Sequence, residues 1–470
     1  MTRIKNELHE FFLLGCLCLG LAGCGSGPTF ATAWSPDPDP AQAGRQAAEK
    51  AIAKLGPVPL KGLMFTVYYQ QKDFTSGDPT KYLPDTQAEL AAARAIAEVA
   101  SKSSPKTSTP SLGCRARGLS RGGTLIKRGV LVLAIGGDQI RCTTTVAPIL
   151  ADRQAIAKRI ARGLSRLGGQ LKLIFLMSEM KLNFDNSQGA GPEGFIRTLL
   201  GNSPRGVVVL GGNSMNDPAS TGQDRLAGAV FVNGEVKKNC VGAMGLAGPV
   251  RVYSAQADEF KPAGKSVLVT EARGKWVVSL NEKPAAAVYR EIRRMGQAER
   301  FTCDWQHPVG VVCGPGERHL EMILNWVGKN GLDKDAKPSK LPPGSLRFGA
   351  EIAAGNRLKI LTGGDNALAI LKSAKQATAD ALAKAREDKA KPALLLAVSC
   401  CTRDMRLRAF GKGRSDEVRD GILPTLDKAK TPIFGFYSYG GLGPLGGKFQ
   451  KLSHAFQNHT FLAAILAAEE

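Results

Sequence analysis

Ala393-Leu-Leu-Leu-Ala-Val-Ser399, followed by Cys400-Cys401-Thr402-Arg403, is the stretch on which the reading of this chain turns. The apolar run is too short for a free-standing helix and is bounded by polar residues, so it predicts a buried strand. Thirty residues on, Pro432-Ile-Phe-Gly-Phe-Tyr-Ser-Tyr-Gly-Gly441 predicts a second buried strand running into a glycine-rich turn, and Asn458-His459-Thr460 leads the last apolar run, Phe461 to Ala468. Open α/β sheets bind ligands beyond their strand ends, where polar side chains and free amides stand against an apolar floor. Residues 392–460 are therefore read as the wall of a ligand pocket.

Upstream, strand and helix signals alternate. Leu63 to Tyr69 predicts a strand, Thr86-Gln-Ala-Glu89 reads as a capping box opening an alanine-rich helix, and Val130 to Ile135 is a further strand. Ile156, Ile160, Leu164 and Leu167 recur at helical spacing among bases, with Gly168 as a stop, which predicts an amphipathic helix on a sheet. Strands at Leu171 to Met177 and Val207 to Leu210 flank a short helix, so parallel pairing is expected there. Asn233-Gly234 between Ala229-Val-Phe-Val232 and Val236 is a hairpin signal, since both turn residues must tolerate positive φ. Short strands then continue to Arg357–Leu361, ahead of a long helix from about Asp365 to Lys389. No short-period repeat is visible. The expected fold class is α/β, mixed α+β, in two lobes, each with a mixed parallel and antiparallel sheet packed by helices; the expected boundaries are 45–283 and 284–470.

The N-terminus bears on the compartment. Arg3 and Lys5 precede an apolar core, Phe11 to Leu21, too short to span a bilayer, and Leu21-Ala22-Gly23-Cys24 places small residues before a cysteine. Residues 1–23 are expected to be a lipoprotein signal, with Cys24 the lipidated residue and 24–44, rich in Gly, Ser, Pro and Asp, a flexible tether. The chain is then exported and lipid-anchored in the cell envelope, the outer membrane or periplasmic face being favoured. A net charge of +22 suits anionic surroundings. Export argues against nucleic acid, and the bases are interspersed with acids, as across Lys372 to Lys391. Seven cysteines remain beyond Cys24, an odd number, so at least one thiol stays free or pairs outside the chain; Cys303 with Cys313 is the first disulfide to test.

Signals for catalysis are thin. The mature histidines His307, His319, His454 and His459 show no HExxH or cysteine-paired spacing, and neither GxSxG nor GxxxxGK[ST] occurs, so no metal and no cofactor is expected. Gly440-Gly441-Leu442-Gly443 either cradles an anion or only turns the chain. Cys400-Cys401 has a nearby cation in Arg403, as a reactive thiolate requires, but a strand end also suits an inert core thiol.

From Leu63 to Leu466 the chain resembles the FIST sensory domain family, in both its N-terminal and C-terminal halves. The similar segments are Gly113-Cys114 with Gly118, Gly211-Gly212 before Asn213, Val230-Phe-Val-Asn-Gly234, and Leu280-Asn281 with Pro284-Ala285 and Tyr289. Further on they are Cys400 with Arg403, Glu417, Gly435-Phe-Tyr-Ser-Tyr-Gly440 with Gly443-Pro444, and Asn458 with Thr460. The resemblance implies a non-catalytic small-ligand sensor, an amino acid or other small metabolite being the ligand, that works with a separate signalling protein. It places Cys400, Arg403, Glu417, Tyr437, Tyr439, Asn458, Cys114 and Arg115 at the ligand. Leu119 and Gly441 replace two acidic positions of the family, and Arg115 and Arg117 are basic, which favours an anionic ligand if they face the pocket.

Roles stay alternative at this point. Arg403 either pairs with a ligand carboxylate or forms an internal ion pair with Glu417. One of Tyr437 and Tyr439 offers a hydroxyl while the other packs in the core. Asn458 either recognises ligand or ties its own turn. A structural lipoprotein holding anionic polymer or lipid through its basic surface, and an enzyme built on Cys400 and Arg403, are the competing readings.

Overall fold

The computed structural model describes residues 27–69, 85–105, 108–124, 128–149, 152–179, 192–214, 228–274, 276–293, 304–312, 319–326, 342–348, 352–362, 366–412, 416–426, 431–438, 440–444, 454–457 and 460–469. The signal segment, Cys24, Tyr439, Asn458, Cys303 and Cys313 lie outside these residues.

The chain lays down one unit three times. The first comprises β1 (Thr29–Ser35), α1 (Pro40–Ala53), β2 (Leu60–Tyr68), α2 (Thr86–Ser103), β3 (Ser111–Arg115), a hairpin of β4 (Gly118–Ser120) and β5 (Gly123–Thr124), and β6 (Gly129–Gly136). The second comprises β7 (Arg141–Pro148), α3 (Arg153–Leu164), β8 (Leu171–Ser178), α4 (Pro192–Gly201), β9 (Val208–Asn213), a hairpin of β10 (Val230–Val232) and β11 (Glu235–Lys237), and β12 (Cys240–Ala247). The third opens with β13 (Val250–Ala257). An inserted block of β14 (Lys261–Arg273), β15 (Trp276–Leu280), β16 (Lys283–Pro284), α5 (Ala285–Arg293), β17 (Asp304–Val312), β18 (His319–Trp326), β19 (Leu346–Phe348) and β20 (Arg357–Thr362) follows. The unit then resumes with α6 (Ala367–Glu387), β21 (Pro392–Cys400), α7 (Cys401–Ala409), a π-helical turn Glu417–Ile422, β22 (Ile433–Ser438), a hairpin of β23 (Gly441–Pro444) and β24 (His454–Gln457), and β25 (Phe461–Ala468).

Each unit contributes one sheet, and the strand orders coincide: β1-β6-β2-β3, β7-β12-β8-β9 and β13-β25-β21-β22. In each the two strands joined through a helix pair in parallel, β2 with β3, β8 with β9 and β21 with β22, while the other neighbours are antiparallel. Every sheet is completed by the hairpin of another unit. β4-β5 extends the third sheet beside β22, β10-β11 extends the first beside β3, and β23-β24 extends the second beside β9. The Asn233-Gly234 turn of β10-β11 has φ of 51° and 81°, the positive values its sequence requires.

Apolar residues on one face of all three sheets share a core that includes Met64, Leu131, Phe175, Met244, Leu396, Phe434 and Leu462. The opposite faces are closed by helices: α1 and α2 over the first sheet, α3 and α4 over the second, α6 and the π-helical turn over the third. A sheet covered on both faces reads as a continuous apolar run, which is why Ala393–Ser399 shows no alternation. The mixed sheets packed by helices agree with the expected fold class. The inserted block is separate: β14, β20, β17, β18, β19 and β15 close into a ring through the β14–β15 pairing around its own core, with Val269, Tyr289, Phe348 and Leu358 among its residues. The expected boundary between residues 283 and 284 falls within this barrel, in β16.

Two local expectations are corrected. Residues 29–44, expected within a tether, form β1 and the start of α1: Phe30, Ala31 and Ala33 are buried, and Asp39 caps the helix by accepting from Gln42 N. The capping box is displaced by one residue. Asp85 is the N-cap, accepting from Ala88 N at 2.9 Å, while both Thr86 and Glu89 are engaged by Arg115.

Candidate functional site

The third unit places its polar groups where the sequence expects them, at the ends of β21 and β22. β21 ends at Cys400, which stands as the N-cap residue of α7. Its Sγ lies 2.8 Å from the Thr402 hydroxyl. Burial pushes this thiol up, but hydrogen bonds from Cys401, from the Thr402 side chain, and from the backbones of Thr402 and Gly440 outweigh it and bring it down to about 6. Cys401 moves the opposite way, held well above its ordinary value by its hydrogen bond to Cys400 and by burial. The two adjacent thiols therefore share one readily lost proton. A helix N-terminus with amide and hydroxyl donors is the environment that favours a thiolate.

Arg403, in the first turn of α7, is fully buried. Its Nε donates to Glu417 at 2.9 Å, Nη1 to Glu259 at 2.7 Å and Ser373 at 2.8 Å, and Nη2 to the Ile370 carbonyl at 2.7 Å and Glu417 at 2.8 Å. A guanidinium has five N–H donors, and all five are spent inside the protein. Of the two roles open to Arg403, the structure places it in the ion pair with Glu417. The second oxygen of Glu417 accepts from Ser399 at 2.9 Å. Glu259, in the middle of the β13–β14 connection, also accepts from Arg406 at 2.6 Å, and the Arg406 guanidinium stacks 4.6 Å over Phe260. A buried arginine between two carboxylates satisfies charges that would otherwise be costly to desolvate.

Tyr437, on β22, is also fully buried beside Glu417. Its hydroxyl forms no hydrogen bond of normal geometry. Burial, reinforced by the charges of Glu417 and Asp404, keeps it protonated. The Glu417 carboxylate is its nearest acceptor, and the contact is not well enough aligned to satisfy the hydroxyl. The next residue, Ser438, accepts from Asn213 N at 2.7 Å and donates to the Gly440 carbonyl at 2.7 Å, and Asn213 accepts from Ser178 at 2.5 Å. These contacts join the strand ends of the second and third units. Arg117, just beyond β3, joins the first: it donates to the Tyr68 hydroxyl at 3.0 Å, lies 4.8 Å over that ring, and pairs with Asp404 of α7 at 3.4 Å.

Arg403, Glu417 and Tyr437 are thus brought together, while Cys400, at the end of β21, is engaged by Thr402, Cys401 and the Gly440 backbone. Cys114 and Arg115 lie on β3 in the first sheet. Cys114 is part of the central core, and burial raises its thiol far beyond the range of a nucleophile. Arg115 is buried against Glu89 at 2.8 Å and Thr86 at 2.7 Å. Tyr439 and Asn458 lie outside the described residues. Sequence reasoning missed Glu259, Ser373, Asp404 and the bridging role of Arg117. Among the described residues, no group of three His, Cys, Asp or Glu side chains is placed to hold a metal ion. Cys114, Cys142, Cys240, Cys400 and Cys401 are unbridged thiols.

Comparison with known proteins places this chain in a class. A family model for the FIST N domain matches residues 86–283 and one for the FIST C domain matches residues 285–444. The chain belongs to the FIST family, whose domains are generally considered small-ligand sensory modules of signal transduction. No curated protein matches it. Among solved structures, the crystal structure of cyanuric acid hydrolase from A. caulinodans is similar over 48% of this chain and 72% of that one, at 11% identity and a TM-score of 0.26. PurLQS from Thermotoga maritima is similar over 94% and 74%, at 9% identity and a TM-score of 0.15. Likenesses of this order carry no argument about chemistry.

Proposed function

We propose that the protein is an exported, lipid-anchored small-ligand sensory protein of FIST type, and a binding protein, not an enzyme. Cys24 carries the lipid, holding the folded body at the cell envelope, on the outer membrane or the periplasmic face. The ligand is an amino acid or other small anionic metabolite, and the response passes to a separate signalling protein.

The observation that carries the ligand reading is the fully buried hydroxyl of Tyr437, which stands beside Glu417 without a hydrogen bond of normal geometry. The ends of β21 and β22 also carry donors suited to negative charge, gathered at the Cys400 sulfur: the Thr402 and Gly440 amides and the Thr402 hydroxyl. Arg403 and Glu417 then serve as the rigid support of the site.

Thermal unfolding against a panel of amino acids and small carboxylates tests this. A ligand at a hundred times its Kd adds about 2.7 kcal/mol of stability. Tyr437→Phe removes only the hydroxyl and its poorly aligned contact with Glu417, so the variant is expected to fold with nearly unchanged stability and lose that shift. A panel that never moves the transition, or a shift that survives Tyr437→Phe, would overturn the assignment. The anchor is tested separately: Cys24→Ala should move the protein from the membrane fraction to the soluble one.

A further inference from the structure

The strand orders of the three sheets leave β1, β7 and β13 in equivalent edge positions. Two of these edges are capped from their covering helices. Lys54, at the end of α1, donates to the Thr32 carbonyl of β1 at 2.9 Å, and Lys384 of α6 donates to the Ser254 carbonyl of β13 at 2.6 Å. A lysine on an edge carbonyl blunts the template that an unpaired strand offers.

The β7 edge is different. Among the described residues it has no further strand beside it, and Thr144, Thr145 and Val146 are half-exposed. Between β7 and α3 runs a groove of about 600 Å³ lined by Thr145, Val146, Ala155, Lys158, Arg159, Arg162 and Gly163. Gly163 sits directly over Thr145, where any side chain would collide with the threonine, so α3 lies close along the strand. Lys158, Arg159 and Arg162 are exposed and have no ion pair among the described residues, and no acid lines the groove. The neighbouring Arg166 turns inward, to the Thr143 hydroxyl.

We infer that this groove is a docking site for an extended acidic peptide segment, which adds to β7 as a further strand and sets its carboxylates against α3. The spacing fits. Lys158 and Arg162 are four residues apart on a helix, about 6 Å along its axis, and alternate side chains of a strand recur at about 6.8 Å. Acidic residues at every second position of an added strand would therefore meet successive cations, while its backbone completes the edge ladder. The site lies in the second unit and is independent of the Tyr437 cluster.

Fluorescence anisotropy of the whole protein with a labelled octapeptide of alternating glutamate and valine tests the inference. Saturable binding is expected that weakens with salt, falls at least about tenfold in the double variant Lys158→Glu/Arg162→Glu, and is absent for the lysine–valine counterpart. Two further peptides, N-methylated on the odd or on the even residues, probe the ladder without altering the protein. One register should lose binding at least about tenfold and the other keep it, because only alternate amides of an added strand face its neighbour. Equal binding of both N-methylated peptides would reduce the contact to charge alone and overturn the inference. So would an absence of peptide binding, or binding of phosphatidylglycerol vesicles, with no peptide binding, that is abolished by the same double variant.

Discussion

Cys400 and Arg403 lie three residues apart at the start of α7, and this turn of helix treats their charges differently. Arg403 keeps its charge by meeting two carboxylates, Glu259 and Glu417, in a fully buried setting. Cys400 gains a charge because donors converge on its sulfur. The linkage has a definite sign: a thiol ordinarily near 9 and held at about 6 in the fold contributes stability that is present above pH 9 and lost as pH falls through 6. Absorbance of thiolate at 240 nm should therefore rise with a midpoint near 6, with the amplitude of one sulfur, and Cys400→Ser should abolish it. Cys401→Ala removes a donor to the same sulfur, so its midpoint should move upward. Relative to the wild type, Cys400→Ser should be less stable at pH 9 than at pH 6, by on the order of 2–4 kcal/mol. A flat absorbance between pH 5 and 8 would mean that the donors do not hold a thiolate. Cys400 and Arg403 were legible in the sequence because they sit at, or just after, the end of an apolar run, and Tyr437 because it lies in the next one; Glu417, in a polar stretch, was indicated only by the family resemblance. Their partners were not: Glu259 is 144 residues from Arg403, and Arg117 is 287 from Asp404. Such pairings depend on how units are stacked, and no local pattern encodes that.

At the scale of elements, the strands and helices follow from apolar pattern and punctuation, and most were legible. The lapses occur where tertiary contacts redirect a side chain: Thr86 and Glu89 have the spacing of a capping box, yet Arg115 recruits both, and Asp85 becomes the cap. Residues 29–35 carry tether-like composition nearby, but Phe30 and its alanines pair with β6 over seven residues and are buried. Helix packing makes a sharper prediction. In α1, Gly44 faces the backbone carbonyl of Ala92 in α2, and an added methyl group would collide with main chain, which cannot rotate away. In α4, Gly201 has open space where a methyl would go. Alanine gains helix propensity at both, about 1 kcal/mol in a helix interior, while overpacking costs about 1–3 kcal/mol. Urea denaturation should therefore show Gly44→Ala destabilised by about 1–2 kcal/mol and Gly201→Ala neutral or stabilised. Equal effects at the two positions would mean that α1 and α2 can separate without cost.

For the whole molecule, the relevant facts are the exchange of hairpins and the insertion. Each sheet borrows its outer two strands from another unit, so no unit can complete its sheet alone, and the three should unfold together. The repeat was not legible because its copies are long, share topology without shared motifs, and are interrupted in the third by the barrel. That barrel is differently placed. The FIST N and FIST C matches meet inside it, at residues 283 and 285, but its core residues belong to residues 267–358 alone. Its entry and exit lie side by side, since Lys261 on β14 pairs directly with Thr362 on β20. A two-residue Asn-Gly turn can join such an antiparallel pair without straining either strand. Replacing residues 262–361 by Asn-Gly should then leave the three-sheet body folded. Circular dichroism should show one cooperative thermal transition, and hydrogen exchange should protect β6, β12 and β25, which lie inside the three sheets, to a common degree. Glu259 and Phe260 precede the cut and remain to hold Arg403 and Arg406. If the shortened chain instead loses protection in β21 and β25, the barrel is needed to close the buried charge cluster at the third unit, and the body cannot be separated from it.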